Sequence, residues 1–467
     1  MTEVDYTTII DPSDPRPIHF VGVTGAGMSA LAELFVRRGL NVTGCDKHPT
    51  SAANDLRQLG IEVHAGHDPA HVVGAKALVV TSAMPKDHPE IVRAHELGIP
   101  VIGRAEALGM AVSGEGREVV GIAGTHGKTT TTALTTVALT AAGLNPTGVA
   151  GGRVAAWGGN LSAGDDKIFI VEADEYDRSF LALAPTVAVV TSVEADHLDI
   201  YRDLADIRDA FATYVRGARF IVLCADDHGA ATLPVPNTAE IIRYGMDSRD
   251  ARLRATTLHT TPTGSTFTVE YDGDVLGTVE LNVHGLHNVR NALAAIAVGI
   301  ALGTTVPAMA PGLAAFTGVE RRFQRIGEIG GITIVDDYAH HPTEIVATLQ
   351  AARLAFPSRR IVAAFQPHLY TRTRDFATDF GAALAAADAI YLADLYPARE
   401  QPIMGVSSQL IANAVASANG RLAWQGPRAA LAAILARDVQ PGDVVLTIGA
   451  GDITETGPEL MRVLESR

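Results

Sequence analysis

Residues Gly121–Thr132, GIAGTHGKTTTT, constrain this chain more than any other stretch. A β-branched lead-in (Val119, Val120, Ile122) reads as a strand, and Ala133–Ala142 reads as a helix with Gly143 at its C-terminal end. Strand, glycine turn, Gly-Lys-Thr and helix make a phosphate cradle, because backbone N–H groups at a helix N-terminus attract an anion. Lys128 would add a point charge for the outer phosphates and the Thr129 hydroxyl a ligand for Mg2+. Five residues separate Gly121 from Gly127, so the strict phosphate-loop spacing of four intervening residues is not met. An ordinary strand–helix turn with a surface lysine is the alternative.

A chain of 467 residues exceeds one hydrophobic core, so two or three domains are expected. Hydrophobic residues at 47% against 19% charged exclude a disordered chain. The net charge of −15, with no basic stripe, argues against nucleic-acid binding. Cys45 and Cys224 form no metal-spaced pair and suit a reducing cytoplasm. The stretch MTEVDYTTIIDPSDP lacks the basic and apolar regions of a signal peptide. Uncharged Asn291–Thr317 is expected to be interrupted by Pro307 and Pro311, leaving a buried helix at about Ala292–Leu302 and no membrane insertion.

Ile18–Val23 reads as a strand, followed by Gly25-Ala-Gly-Met-Ser-Ala30, a helix to about Arg38, and a second strand Val42–Cys45 ending at Asp46. This G-x-G-x-x-A turn with an acidic residue about twenty positions on fits a bound dinucleotide or diphosphate; tight helix–strand packing without a ligand is the other reading. Strands at Ala77–Thr81 and Pro100–Ile102, alternating with helices, predict a parallel α/β domain up to a linker at Ser113–Arg117.

Beyond the phosphate loop, glycine-rich Gly148–Gly164 reads as a loop over substrate. Strand Lys167–Val171 leads into Glu172-Ala-Asp-Glu-Tyr-Asp177, where carboxylates suit Mg2+ or form a solvated acidic turn. Strand Val187–Thr191 leads to His197, a metal ligand or a polar contact. Alternation across Ala251–Val283 with Asp272-Gly273 predicts an antiparallel flap. Asn288 and Asn291 either cap the next helix or contact a base. After Phe316–Gly327, strands Thr333–Val335, Ile361–Phe365, Ile390–Ala393 and Val444–Ile448 predict a third α/β domain with polar residues at its strand ends.

GAGMSALAE, GTHGKTTTT, EADEYDRSF, EADHLD, HNVRNALAA, RRF, DDYAHHPTE, FQPHLYTRTR and GAGD occur in this order, nearly end to end. In this set the chain resembles the Mur ligases, ATP-dependent amide-bond ligases of peptidoglycan precursor synthesis. The resemblance implies an α/β protein of three domains. These are a Rossmann-like UDP-sugar domain (1–113), a central ATP-binding α/β domain with the antiparallel flap (114–318) and a Rossmann-like amino-acid domain (319–467). Within the family, QPHLYTRTR and YPAREQPIMGVSS resemble the branch that adds L-alanine to UDP-N-acetylmuramate.

The same resemblance implies the roles of individual residues. Gly25, Ala26, Gly27, Met28, Ser29, Asp46, Ser82 and His126 would bind the UDP-sugar. Gly124, Thr125, His126, Gly127, Lys128, Thr129, Thr130, Asn288, Arg322 and Asp337 would bind ATP. Thr129, Glu172 and His197 would hold Mg2+. Lys128, Glu172, His197, Arg322 and His340 would surround the reacting phosphate, and His368 and Arg372 would hold L-alanine. A monomer or homodimer in the cytoplasm is implied.

Many family members carry a carbamylated lysine; this chain has no lysine after Lys167, as in the alanine-adding branch. Thr24 stands for a usual glycine, Ser192 for asparagine and His284 for proline. Leu369 replaces a frequent arginine, which leaves more of the alanine carboxylate to Arg372. A tripeptide-recycling ligase acting on the same UDP-sugar is the nearest alternative. Folylpolyglutamate synthetase shares the central fold, an NAD dehydrogenase would leave GTHGKTT idle, and a non-catalytic nucleotide-binding protein is the reading from another class.

Overall fold

The computed structural model describes residues 6–81 and 84–466. The chain divides into two compact units. The first comprises the chain up to Val193, Arg208–Tyr244 and Ala294–Gly312; the second comprises Glu194–Ile207, Gly245–Leu293 and Leu313–Arg467.

The first unit opens with a five-stranded parallel sheet. Its order is Glu62–Ala65, Val42–Asp46, Ile18–Val21, Ala77–Val80, Val101–Gly103. The chain reverses direction across the sheet beside Ile18–Val21, where ligand crevices form at strand C-termini. The glycine turn leaves the strand at this point and starts helix Ala26–Arg37.

The same unit holds strands ordered Glu240–Gly245, Phe220–Cys224, Val187–Val190, Glu118–Ala123, Ile168–Glu172, Thr147–Val154, Gly159–Ser162. All pair parallel except the last two, which form a hairpin. Gly148–Gly164, expected as a loop, is therefore mostly this hairpin. The phosphate-loop strand Glu118–Ala123 lies between Val187–Val190 and Ile168–Glu172, so both neighbours deliver polar residues to its C-terminal end.

Helix Lys128–Ala141 begins earlier than alanine content suggests and takes in the run Thr129–Thr132. β-branched residues are poor helix formers. Here burial of Thr131, Thr132, Thr135 and Thr136 compensates, and the hydroxyls of Thr135 and Thr136 donate to the carbonyls of Thr131 and Thr132.

The second unit contains the antiparallel meander Leu253–Thr261, Gly264–Tyr271, Asp274–Leu281, turning at Asp272-Gly273 as expected. Its larger sheet runs Gln324–Ile329, Ile332–Asp337, Val444–Ile448, Ile361–Phe365, Ala389–Ala393, Leu422–Gly426, with only the first strand antiparallel. The first and last strands were not legible in the sequence. Val335, Ala363, Phe365 and Leu446 pack in one core cluster, while Ile334, Val362, Ala364 and Val445 pack in another. Burial on both faces explains why these strands read as continuous apolar runs.

Two expectations need correction. Helix Leu286–Ala301 starts six residues before Ala292, so Asn288 and Asn291 lie inside its first turns. Pro307 and Pro311 belong to a helix, Val306–Ala315, rather than breaking one. Pro307 falls in the first turn, where its missing N–H costs nothing. The break falls at residues 302–305. Among the described residues no helix is long and apolar enough to cross a membrane.

Candidate active site

The phosphate loop is held by the strand beside it. Thr125 N–H donates to the Ser192 carbonyl and His126 N–H to Ser192 Oγ, at 3.0 and 2.9 Å. Thr191 Oγ1 donates to the His126 carbonyl at 2.5 Å. A Cβ on Gly124 would lie 1.9 Å from Thr191 Oγ1, and Gly124 has φ +141°, so only glycine fits. Gly127 caps the helix at φ +82°. The first-turn amides beyond it have no intrahelical partner, an arrangement that suits an anion.

Lys128, Thr129 and Glu172 converge here. Lys128 Nζ donates to the Gly124 carbonyl at 2.8 Å and to Glu175 Oε2 at 2.7 Å. Burial works against the ammonium, but Glu175 and Asp174 outweigh it and keep the amine charged beyond its usual range. Thr129 Oγ1 donates to Glu172 Oε1 at 3.1 Å, and Gly151 N–H to Glu172 Oε2 at 2.6 Å. Burial raises the Glu172 carboxyl, with Lys128 opposing. A hydroxyl and a carboxylate in contact beside an anion site are hard oxygen donors that fit Mg2+. Glu175 belongs to the EADEYDRSF motif, but the sequence reading gives it no role. The signal for it is a second acid three residues beyond Glu172.

At the first glycine turn, Thr24 N–H and Oγ1 both donate to Asp46 Oδ2, and His48 N–H donates to Asp46 Oδ1. Asp46 is thus engaged by its own turn, through the residue that departs from the family's glycine. Gly25, Ala26 and Gly27 start the helix, and Ser29 N–H donates to the Gly25 carbonyl. Met28 is buried in the core. Ser82 lies outside the described residues.

The second unit gathers another set. Asp337 ends strand Ile332–Asp337 and accepts from Phe323 N–H and Ala339 N–H, both at 2.8 Å. Burial raises its carboxyl to about 6, with Arg322 opposing. The Arg322 guanidinium lies 5.2 Å from the Tyr338 ring and 3.6 Å from Glu344. Glu344 also reaches His340 Nδ1 at 3.3 Å. Burial pushes His340 down to about 3 against the pull of Glu344. His340 and His368 rings are 6.4 Å apart, and His368 stacks on Tyr396. Burial takes His368 down to about 4, and Arg372 adds to it.

Arg372 Nε and Nη2 both donate to Asp196 Oδ1, at 3.1 and 2.7 Å. Burial opposes ionisation of Asp196, but Arg372 prevails and holds the carboxyl well below its usual range. Asp196 also accepts from His197 N–H and lies 3.8 Å from His197 Nε2. Asp196, like Glu175, sits in a motif that by itself assigns it no role. Asn288 is not part of this set. Its Nδ2 donates to the His284 carbonyl and its Oδ1 accepts from Asn291. Leu369, at φ +71° and buried, starts the short helix carrying Arg372. A branched side chain in that region is strained, and the hydrogen bond from its N–H to the Tyr396 carbonyl helps hold it.

Comparison with known proteins bears on both sets. A protein named UDP-N-acetylmuramate–L-alanine ligase from Cutibacterium acnes is 43% identical over 466 residues, covering 98% of each chain. One of the same name from Salinibacter ruber is 43% identical over 97% of this chain and 95% of its own. The crystal structure of UDP-N-acetylmuramate-alanine ligase from Thermotoga maritima superposes with a TM-score of 0.81 at 29% identity, over 97% of this chain and 99% of that one. A murein peptide ligase from Psychrobacter arcticus gives 0.71 at 25% identity, over 97% and 99%. Residues 17–115 match the Mur ligase family catalytic domain, 122–299 the Mur ligase middle domain, and 321–451 the Mur ligase glutamate ligase domain. With three successive domain matches and full-length relatives, this chain belongs to the Mur ligase family.

Proposed function

We propose that the chain is an ATP-dependent ligase that joins L-alanine to the lactyl carboxylate of UDP-N-acetylmuramate, the first peptide step of peptidoglycan precursor synthesis. The observation that carries this reading is the full-length likeness to ligases of that name, in a chain whose Lys128, Thr129 and Glu172 converge at a phosphate loop.

In this reading the lactyl carboxylate attacks the γ-phosphorus of ATP and ADP leaves, giving an acyl phosphate. The alanine amine, having lost its proton, attacks the acyl carbon, and phosphate departs as the amide forms. The protein's task is to align anionic reactants and neutralise developing charge. Lys128 and the loop amides hold the β- and γ-phosphates. Thr129, Glu172 and His197 would hold Mg2+, whose chemistry there is to offset phosphate charge. The turn at Gly25–Ser29, with Asp46 and Ser82, takes the UDP-sugar. Arg322 and Asp337 contact the nucleotide, Asn288 lies on its adenine side, His340 lies near the phosphates, and His368 and Arg372 take alanine. Domains of 1–113, 114–318 and 319–467, a cytoplasmic location and a monomer or homodimer complete the reading.

Transfer of a tripeptide to the same sugar nucleotide is the second reading, favoured by the likeness to a murein peptide ligase. Phosphate release from ATP separates them. Release requiring both UDP-N-acetylmuramate and L-alanine supports the first reading. Release only with L-Ala-γ-D-Glu-meso-diaminopimelate supports the second, and no release with any pairing defeats both.

A further inference from the structure

The first sheet carries a buried polar cluster that the ligase chemistry does not use. Four elements meet there: strand Ile18–Val21 brings His19, strand Val42–Asp46 brings Cys45, the turn Pro69–Val72 brings His71, and helix Pro89–Glu96 brings Glu90. Glu90 is fully buried, and its carboxylate is surrounded by imidazoles and a thiol. Cys45 Sγ lies 3.2 Å from both carboxylate oxygens, His71 Nδ1 2.9 Å from Oε1, and His19 Nε2 3.9 Å from Oε1. One ligand atom from each of the four falls within 4.8 Å of every other.

His19 supplies the independent observation. It is fully buried, and its Nδ1 is hydrogen-bonded to Thr43 Oγ1 at 2.9 Å. Among the described residues its Nε2 has no hydrogen-bond partner, and it is aimed into the cluster, 3.9 Å from Glu90 Oε1. A self-sufficient hydrogen-bonded cluster explains Cys45 and His71, which reach Glu90, but leaves this nitrogen orphaned in a dry core, where an unmet polar atom is costly. A hydroxyl on the far nitrogen, fixing the ring so that the near lone pair points inward, is the outer-shell arrangement of a ligating histidine.

We propose that His19 Nε2, Cys45 Sγ, His71 Nδ1 and a Glu90 oxygen bind one Zn2+. Bonds of about 2.0–2.3 Å in a tetrahedron set ligands about 3.3–3.8 Å apart, within the spread observed here. Imidazole, thiolate and carboxylate together favour a borderline-soft divalent ion over Mg2+. Binding releases the Cys45 thiol proton to solvent, and the sulfur–metal bond replaces its hydrogen bond to Glu90. The half-open side chains of His71 and His67, 17% and 19% exposed, give the ion its entry. The Cys45 carbonyl accepts from Gly22 and Val23 N–H, so the ion braces the root of the first glycine turn.

The test uses the full chain, stripped with chelator and reloaded with Co2+ or Zn2+ in excess Mg2+, which occupies oxygen-only sites. One equivalent of Co2+ should remain after gel filtration, with a thiolate-to-cobalt charge-transfer band. Cys45→Ser should abolish the band and Cys224→Ser should keep it. Thr43→Val should weaken Co2+ binding by about tenfold. Zn2+ should raise the melting temperature of the parent chain. If Cys45→Ser does not fold, His71→Gln, at the cluster's open edge, replaces it and should lose the bound equivalent. Absence of a charge-transfer band, or stoichiometric binding that survives His71→Gln, overturns the proposal.

Discussion

Lys128 in the first unit and Arg372 in the second make a pair of opposites. Each is the cation that the sequence motifs assign to an incoming anion, and each is held by a carboxylate of its own unit at 2.7 Å. Lys128 is a compact charge that also donates to a loop carbonyl, so Glu175 is one partner among several. Arg372 directs two nitrogens at one oxygen of Asp196, and both side chains are nearly sealed, 5% and 7% exposed. An ammonium with three rotatable donors can exchange one partner for a phosphate, whereas a buried guanidinium leaving its partner strands a charge. The lysine is therefore expected to matter mainly to chemistry, and the arginine to both folding and binding.

The largest effect should separate them first. Lys128→Ala is expected to lower kcat by about 10^3-fold or more, because it removes charge aimed where charge develops. Its melting temperature should fall less than in Arg372→Ala, although Glu175, 4% exposed, also loses a cationic partner. Near-normal kcat in a phosphate-release assay would sink the phosphate-cradle role.

Arg372→Ala should instead destabilise the chain by about 3 kcal/mol, since Asp196 is left buried and unpaired, and raise the KM for alanine far more than that for ATP. The double variant Arg372→Ala/Asp196→Ala sharpens this. Denaturant melts should show stability regained while the alanine KM stays high. Recovery of both would make Arg372 purely structural, and equal rises in the two KM values in the single variant would point to a role in closure.

Acid should weaken the second unit's site. His340 and His368 are held to about 3 and about 4 in the fold, against about 6.5 unfolded. The unfolded chain takes up these protons first as pH falls. The stabilisation is complete above about pH 6.5, is lost progressively as pH falls from there, and the loss levels off only at the folded values. Each histidine should cost up to about 2 kcal/mol between pH 6.5 and 5. Melting curves across that range should flatten in His340→Gln; an unchanged slope would mean that the ring is not buried neutral.

The smallest effect tests Glu175. If it only occupies Lys128 until phosphate arrives, Glu175→Gln should lower the KM for ATP by up to about tenfold, roughly one charge-assisted hydrogen bond. A higher KM would show that Glu175 presents the lysine to ATP.

The sequence by itself determined the strand–turn–helix units and their chemistry. Gly124, Gly127, Lys128 and Thr129 are adjacent, and their effect on the backbone is local, so order alone makes them legible. The buried strands Ile361–Phe365 and Val444–Ile448 were legible because burial on both faces leaves an unbroken apolar run. Edge strands Gln324–Ile329 and Leu422–Gly426 carry mixed polarity and were missed, and Pro311 misled because a proline's cost depends on what packs around it. Partner choice needed the tertiary structure. Arg372 and Asp196 are 176 residues apart, Thr24 and Asp46 are 22 apart, and His19 meets Glu90 across 71. Which carboxylate neutralises which cation depends on burial and on distances of a few ångströms. Those are set by how strands are ordered in a sheet rather than by the order of residues along the chain.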